Sequence, residues 1–195
     1  MEVTRGGEIV DEWQSWEHLR PEEDTICFLE GRKEWTHQNC LNVTSDGSLL
    51  VSFRQTDMVG IVDRSTGEFS WKWGPGDISH QHNPTFLDNG HVLLFDNGPH
   101  RRGVCHSRIV EIDPVDNQIA WEYRGDPPIS FFSYHISGAD RLPNGNTLIC
   151  EGAPGRIFEV TPTKDIVWEY LSPFVGKSGD GVGGTASGFA NSVFR

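Results

Sequence analysis

Short apolar runs alternate along this chain with turn-forming clusters, and the alternation repeats three times. Residues 49–53 (LLVSF), 92–95 (VLLF) and 147–150 (TLIC) have the length and the β-branched character of buried strands. Each follows a turn signal, SDGS, DNGH or PNGN, in which glycine accepts a positive φ. A third apolar segment ends in a second turn each time, at 59–67, 107–117 and 155–165. A fourth closes each unit: EFSWKW, QIAWEY and DIVWEY, which place Trp71, Trp121 and Trp168 at one register. The segment GEIVDEW (7–13) reads as an isolated fourth strand.

Four antiparallel strands in a unit of roughly 45 to 55 residues predict a β-propeller blade. A β-sandwich would not impose the same four-part order three times. The expected fold is therefore all-β: a propeller of four-stranded blades, about three of them present. The expected organisation is the last strand of a preceding blade plus a loop (1–34), and three blades within 35–174 (35–73, 78–123 and 133–170). A glycine-rich loop and the start of a further blade, NSVFR, follow in 175–195. Propellers typically have 4–8 blades, so the chain is expected to be a piece of a longer ring. The acidic connection 14–34 is expected to hold a helical turn and to lie over one mouth of the ring.

The histidines add chemistry to this frame. His37, His80 and His135 each stand ten residues before the glycine of the first turn, on what is predicted to be the innermost strand of each blade. Period-two alternation puts Asn39, His82 and Ser137 on the same side, one step along. One such histidine would be an ordinary hydrogen-bonded strand residue; three in register predict a polar patch near the propeller axis. Imidazoles in this number also suit zinc or copper, although spacing alone assigns no metal. Between the second and third strands of the middle blade lies the densest cationic cluster, His100, Arg101, Arg102, His106 and Arg108. It is either a solvated loop or an anion clamp, since arginine pairs bidentately with sulfate, phosphate and carboxylate.

Composition narrows the function classes. With 195 residues, 36% hydrophobic and 23% charged, the chain is too apolar for disorder. The net charge of −12 argues against nucleic acid and anionic membrane as partners. No apolar run reaches the roughly 18 residues of a membrane span, and the first residues hold no secretory h-region. Cys27, Cys40, Cys105 and Cys150 form no CxxC pair, which speaks against a zinc ribbon or thioredoxin-like site and for buried thiols. There is no P-loop, GxGxxG or GxSxG motif.

The segments WTHQN, HQHNPTFLDNGHVLLFDNG, SGADRLPNGNTLICEG, GRIFEVTP and IVWEY together resemble the arylsulfotransferase family of bacterial β-propeller proteins. The resemblance implies a six-bladed ring that moves a sulfuryl group from an aryl sulfate to a phenol without a nucleotide donor or other cofactor. It implies a sulfohistidine intermediate, with His135 as the nucleophile, His37 and His80 as further channel histidines, and Arg101 or Arg102 as the channel arginine. His82 and Asn83 both match the position beside the second histidine; with Asn39 and Tyr134 they form the expected substrate-binding set. Trp35, Phe131, Phe132 and Tyr134 either stack on an aryl ring or pack the blades. The expected partners are an aryl sulfate and a phenol, with a second copy of the chain as a further candidate. A signal peptide on preceding sequence would place the protein in the periplasm. Two other classes fit the repeat: a non-catalytic scaffold or ligand-binding propeller, and a quinoprotein-like propeller suggested by DRSTGEFSWKW.

Overall fold

A computed structural model describes residues 1–173 in full, together with the backbone of the paired strands Gly176–Lys177 and Phe189–Ala190. The segment NSVFR (191–195), expected to open another blade, lies outside the described residues. The N-terminal strands β1 (Glu2–Val3) and β2 (Ile9–Asp11) pair with each other. The helical turn expected in the acidic connection is the single turn α1 (Ser15–His18).

Three antiparallel sheets follow, each with its four strands in chain order. The first blade contains β3 (Gln38–Val43), β4 (Leu49–Phe53), β5 (Met58–Val62) and β6 (Phe69–Trp73). The second contains β7 (His82–Phe86), β8 (Val92–Asp96), β9 (Arg108–Asp113) and β10 (Gln118–Arg124). The third contains β11 (Ser137–Arg141), β12 (Thr147–Glu151), β13 (Arg156–Val160) and β14 (Ile166–Leu171). The innermost strands are neighbours, β3 beside β7 and β7 beside β11. This is the arrangement of consecutive propeller blades.

Period-two alternation explains why the second strands are apolar on both faces. On β8, Val92 and Leu94 join Leu50, Val59 and Ile78 in a core shared with the first blade. Leu93 and Phe95 point the other way, into a core with Phe131 of the following connection and Ile149 and Phe158 of the third blade. Phe131 stands edge-on to Phe95, Tyr123 and Phe158, with centroids 5.3–5.6 Å apart. The outer strand β14 is exposed along its whole length, with Trp168 49% accessible.

Trp71 and Trp121, two of the three tryptophans at one register, perform one task. The Trp71 indole N–H donates to Asn117 Oδ1 (2.8 Å) and that of Trp121 to the Pro162 carbonyl (2.9 Å). Trp13, just after β2, does the same with the Gly67 carbonyl (2.8 Å). In every case the acceptor sits in the turn between the third and fourth strands of the following blade. Trp121 also carries the Arg141 guanidinium on its face at 4.9 Å. Trp121→Phe is expected to cost about 0.5–1.5 kcal/mol, read as a lower urea midpoint with an unchanged m-value.

Candidate functional site

His82 is on an innermost strand, but His37, His80 and His135 are at the entries to them. β3 starts one residue after His37, while β7 and β11 start two residues after His80 and His135. The backbone turns left-handed there, with φ of 48° at His37, 56° at His80 and 40° at Ile136. That conformation interrupts the ladder and re-aims the side chains. For β-branched Ile136 it is a strained one, of a kind that persists where surrounding contacts hold it.

His80 is fully buried, with neither ring nitrogen hydrogen-bonded. Its Nε2 lies 3.3 Å from the Glu30 carboxylate without hydrogen-bond geometry, and its ring stands edge-on to His100 at 4.3 Å. The backbone N–H of His80 donates to Asp57 Oδ1 (2.8 Å). Burial, and then the Arg54 charge, push the His80 pKa down to about 3, so the ring is neutral. Burial pushes Asp57 up to about 7 in spite of that N–H donor.

His82 is buried one step along, with Nδ1 2.8 Å from Asn97 Oδ1 and 3.1 Å from the His80 carbonyl. The Asn97 amide donates to the Ser133 carbonyl (2.7 Å) and Ser137 Oγ (3.0 Å), which orients its oxygen toward His82. Both partners of Nδ1 accept, so the proton sits there and Nε2 keeps its lone pair. Ser133 continues the network: its hydroxyl lies 2.7 Å from the His135 carbonyl and 2.9 Å from that of Ile136. His135 itself is half-buried, packed on Tyr134 with centroids 4.1 Å apart, and its buried Nδ1 has no partner. Burial, with Arg54 second, holds its pKa below the usual imidazole value.

Arg54 is the group that sequence reasoning missed. It begins a 3₁₀ turn after β4, is mostly buried and contacts Glu30 at 3.2 Å. After burial, its charge is a common cause of the lowered basicity of His80, His82 and His135. The available signal was its position: it occupies in the first blade the connection that carries the cationic cluster in the second.

The remaining candidates are distributed around this centre. His37 is partly exposed and bonds Glu34 at 2.8 Å. Asn39 donates to the Gln81 carbonyl (2.7 Å) and Asn83 to that of Ala139 (3.1 Å), so both amides brace neighbouring innermost strands. Tyr134 is exposed. Arg101 and Arg108 share the fully buried carboxylate of Asp96, at 2.5 and 2.7 Å. Gly98 makes this loop turn feasible, because a Cβ there would meet the His106 carbonyl at 2.1 Å. Asp57, Ser79, His100, Arg101 and Arg102 line a cavity of about 200 Å³. A wider groove, about 510 Å³, opens at the far ends of β7 and β11 between Phe86 and Leu142. Its arginine, Arg141, is paired with Glu111 at 2.6 Å.

The blade order agrees with a family-model comparison. The model described as arylsulfotransferase (ASST) matches residues 4–172. The chain belongs to the arylsulfotransferase family. A search of curated proteins found no match. Solved structures share the fold at low identity. A Bacteroides caccae protein of unknown function is 17% identical, with a TM-score of 0.52, over 69% of this chain and 46% of that one. Virginiamycin B lyase from Staphylococcus aureus is 21% identical, with a TM-score of 0.50, over 70% and 41%. The WD40 β-propeller domain of Doa1 is 14% identical, with a TM-score of 0.52, over 74% and 43%. The arylsulfotransferase-family chain thus aligns with less than half the length of these neighbours.

Proposed function

We propose that the protein transfers a sulfuryl group from an aryl sulfate to a phenol through a sulfohistidine at His135. The observation that carries this is a neutral, half-buried imidazole beside an exposed tyrosine ring, within the field of a buried arginine. The lone-pair nitrogen of His135 attacks sulfur; the N–S bond forms as the S–O(aryl) bond breaks, and the electron pair leaves on the phenolate. Arg54, already in place, offsets the charge on the sulfuryl oxygens at little reorganisation cost. Arg101 and Arg102 are the second cationic candidates, on the cavity that holds His100. His82, with its proton fixed on Nδ1, accepts the proton of the incoming phenol at Nε2. That phenol's oxygen then takes the sulfuryl group, the N–S bond breaks and His135 is restored. His37, His80, Asn39 and Asn83 shape the surroundings, and Tyr134 offers a face for the aryl ring.

The test is to incubate the full-length protein with 4-nitrophenyl sulfate, quench in mild alkali and map modified peptides by mass spectrometry. One sulfuryl group on His135 is the expected result; an unmodified His135 during turnover would sink the proposal.

The pH profile adds a second check. A lowered pKa means that the nucleophilic neutral form survives below the ordinary 6.5 and is lost only as pH falls through the depressed value. The acid limb of kcat/KM for the donor is therefore expected below pH 6.5, with a plateau through neutrality. In Arg54→Met that limb should move toward higher pH, because one of the two causes of the depression is gone.

A further inference from the structure

A loop far from the repeat pattern brings a thiol to the buried His80 and the half-buried His100. Cys27 lies in the acidic connection, 73 residues before His100, yet its Sγ is 3.2 Å from His100 Nδ1. One ligand atom each from Cys27, His80 and His100 lies within 4.8 Å of the others. The loop is held in this position independently: the Cys27 N–H donates to the Gln55 carbonyl (2.9 Å), and the Glu30 N–H to the Cys27 carbonyl (3.0 Å). From the other side, the His100 N–H donates to Ser79 Oγ at 3.2 Å.

His80 supplies the second observation. A fully buried imidazole whose two nitrogens both lack hydrogen bonds forgoes the partners that buried polar groups normally have. Carboxylate Glu30 stands beside it at 3.3 Å, tied at 3.2 Å to Arg54. A thiolate and two imidazoles are donors for zinc, whose Zn–S and Zn–N bonds of about 2.3 and 2.0–2.1 Å place tetrahedral donors roughly 3.3–3.6 Å apart. Cys27 and His100 are only partly buried, which leaves their side chains room to rotate toward that spacing.

We propose that Cys27, His80 and His100 bind one zinc ion, clasping the acidic connection to the middle blade. The proposal does not rest on sulfuryl transfer, and it assigns His80 to the ion, leaving His82 as the proton carrier. Binding releases the thiol proton to solvent and changes no oxidation state.

The experiment is metal titration of the full-length protein, freed of metal by chelator and carrying no polyhistidine tag. Zinc is expected to bind at one equivalent. Cobalt should give the same stoichiometry, with tetrahedral d–d bands and a sulfur-to-cobalt charge-transfer band. That band should vanish in Cys27→Ser and persist in Cys40→Ser. In His100→Ala zinc affinity should fall roughly tenfold or more, the scale expected for losing a ligand when loss of its outer partners alone costs 10–100-fold. On the unmutated protein, zinc should slow alkylation of Cys27 but not of Cys105, and chelator should reverse this, whether or not the variants fold. No stoichiometric zinc, a charge-transfer band retained in Cys27→Ser, or Cys27 alkylation indifferent to zinc would each overturn the proposal. The His135 sulfuryl adduct is read separately, so either proposal can fail alone.

Discussion

His135→Ala is expected to abolish the sulfuryl adduct and lower aryl sulfate turnover by roughly 10³-fold or more, leaving only what binding and electrostatics contribute. The side chain can be removed with little disturbance of the fold. His135 is held through its backbone, by the Ser133 hydroxyl on its carbonyl, and the strained residue is the next one, Ile136. Far-UV circular dichroism and the thermal midpoint should therefore change little while activity is lost. Added imidazole should restore part of donor cleavage in the variant, a rescue that a merely structural role would not show. Turnover within a few-fold of the parent protein would remove His135 from the reaction.

Asp96→Ala is expected to produce the largest loss of stability. The carboxylate is fully buried at the end of β8 and is engaged on both oxygens. Its Oδ2 accepts from Arg101 and Arg108, and its Oδ1 accepts the Ser79 N–H at 2.9 Å. Arg108 is itself 7% exposed on its side chain and would keep only the Glu122 carboxylate (2.8 Å) and the Asp77 carbonyl (2.6 Å). Breaking one side of a buried ion pair costs about 3–5 kcal/mol. At about 2–4 °C per kcal/mol for a chain of this size, the midpoint should fall by roughly 6–20 °C. Asp96→Asn keeps an acceptor for Ser79 and should lose less. A shift below about 2 °C in Asp96→Ala would show that the two arginines find other partners.

The fold was legible because its signals are local and repeated. Turn glycines, apolar second strands and fourth-strand tryptophans recur in each unit, and the three sheets follow them closely. The site was legible only in part. Spacing marked His37, His80 and His135 as equivalent, but it could not show left-handed residues ending the strands before those histidines are reached. Arg54 escaped because the connection that carries it is short in the first blade and long in the second, so alignment by length hides their equivalence. The contact of Cys27 with His100 spans an irregular loop and a blade boundary. No periodicity encodes such a contact. Asn97 and Ser133, which fix the His82 tautomer and the His135 backbone, are ordinary turn residues in the sequence and acquire meaning only through their partners.

The indole clasps have a consequence for how such a chain can grow. Each blade carries the donor on its last strand and the acceptor on the turn before that strand, so every junction repeats the same handshake. Contacts of this head-to-tail kind close or continue according to the rotation per unit, not according to a unique pair of partners. Coupling between units is then mainly between immediate neighbours. A blade copied in frame would arrive with both halves of its junction already made, which makes whole-blade duplication a tolerated change where a single shifted strand is not.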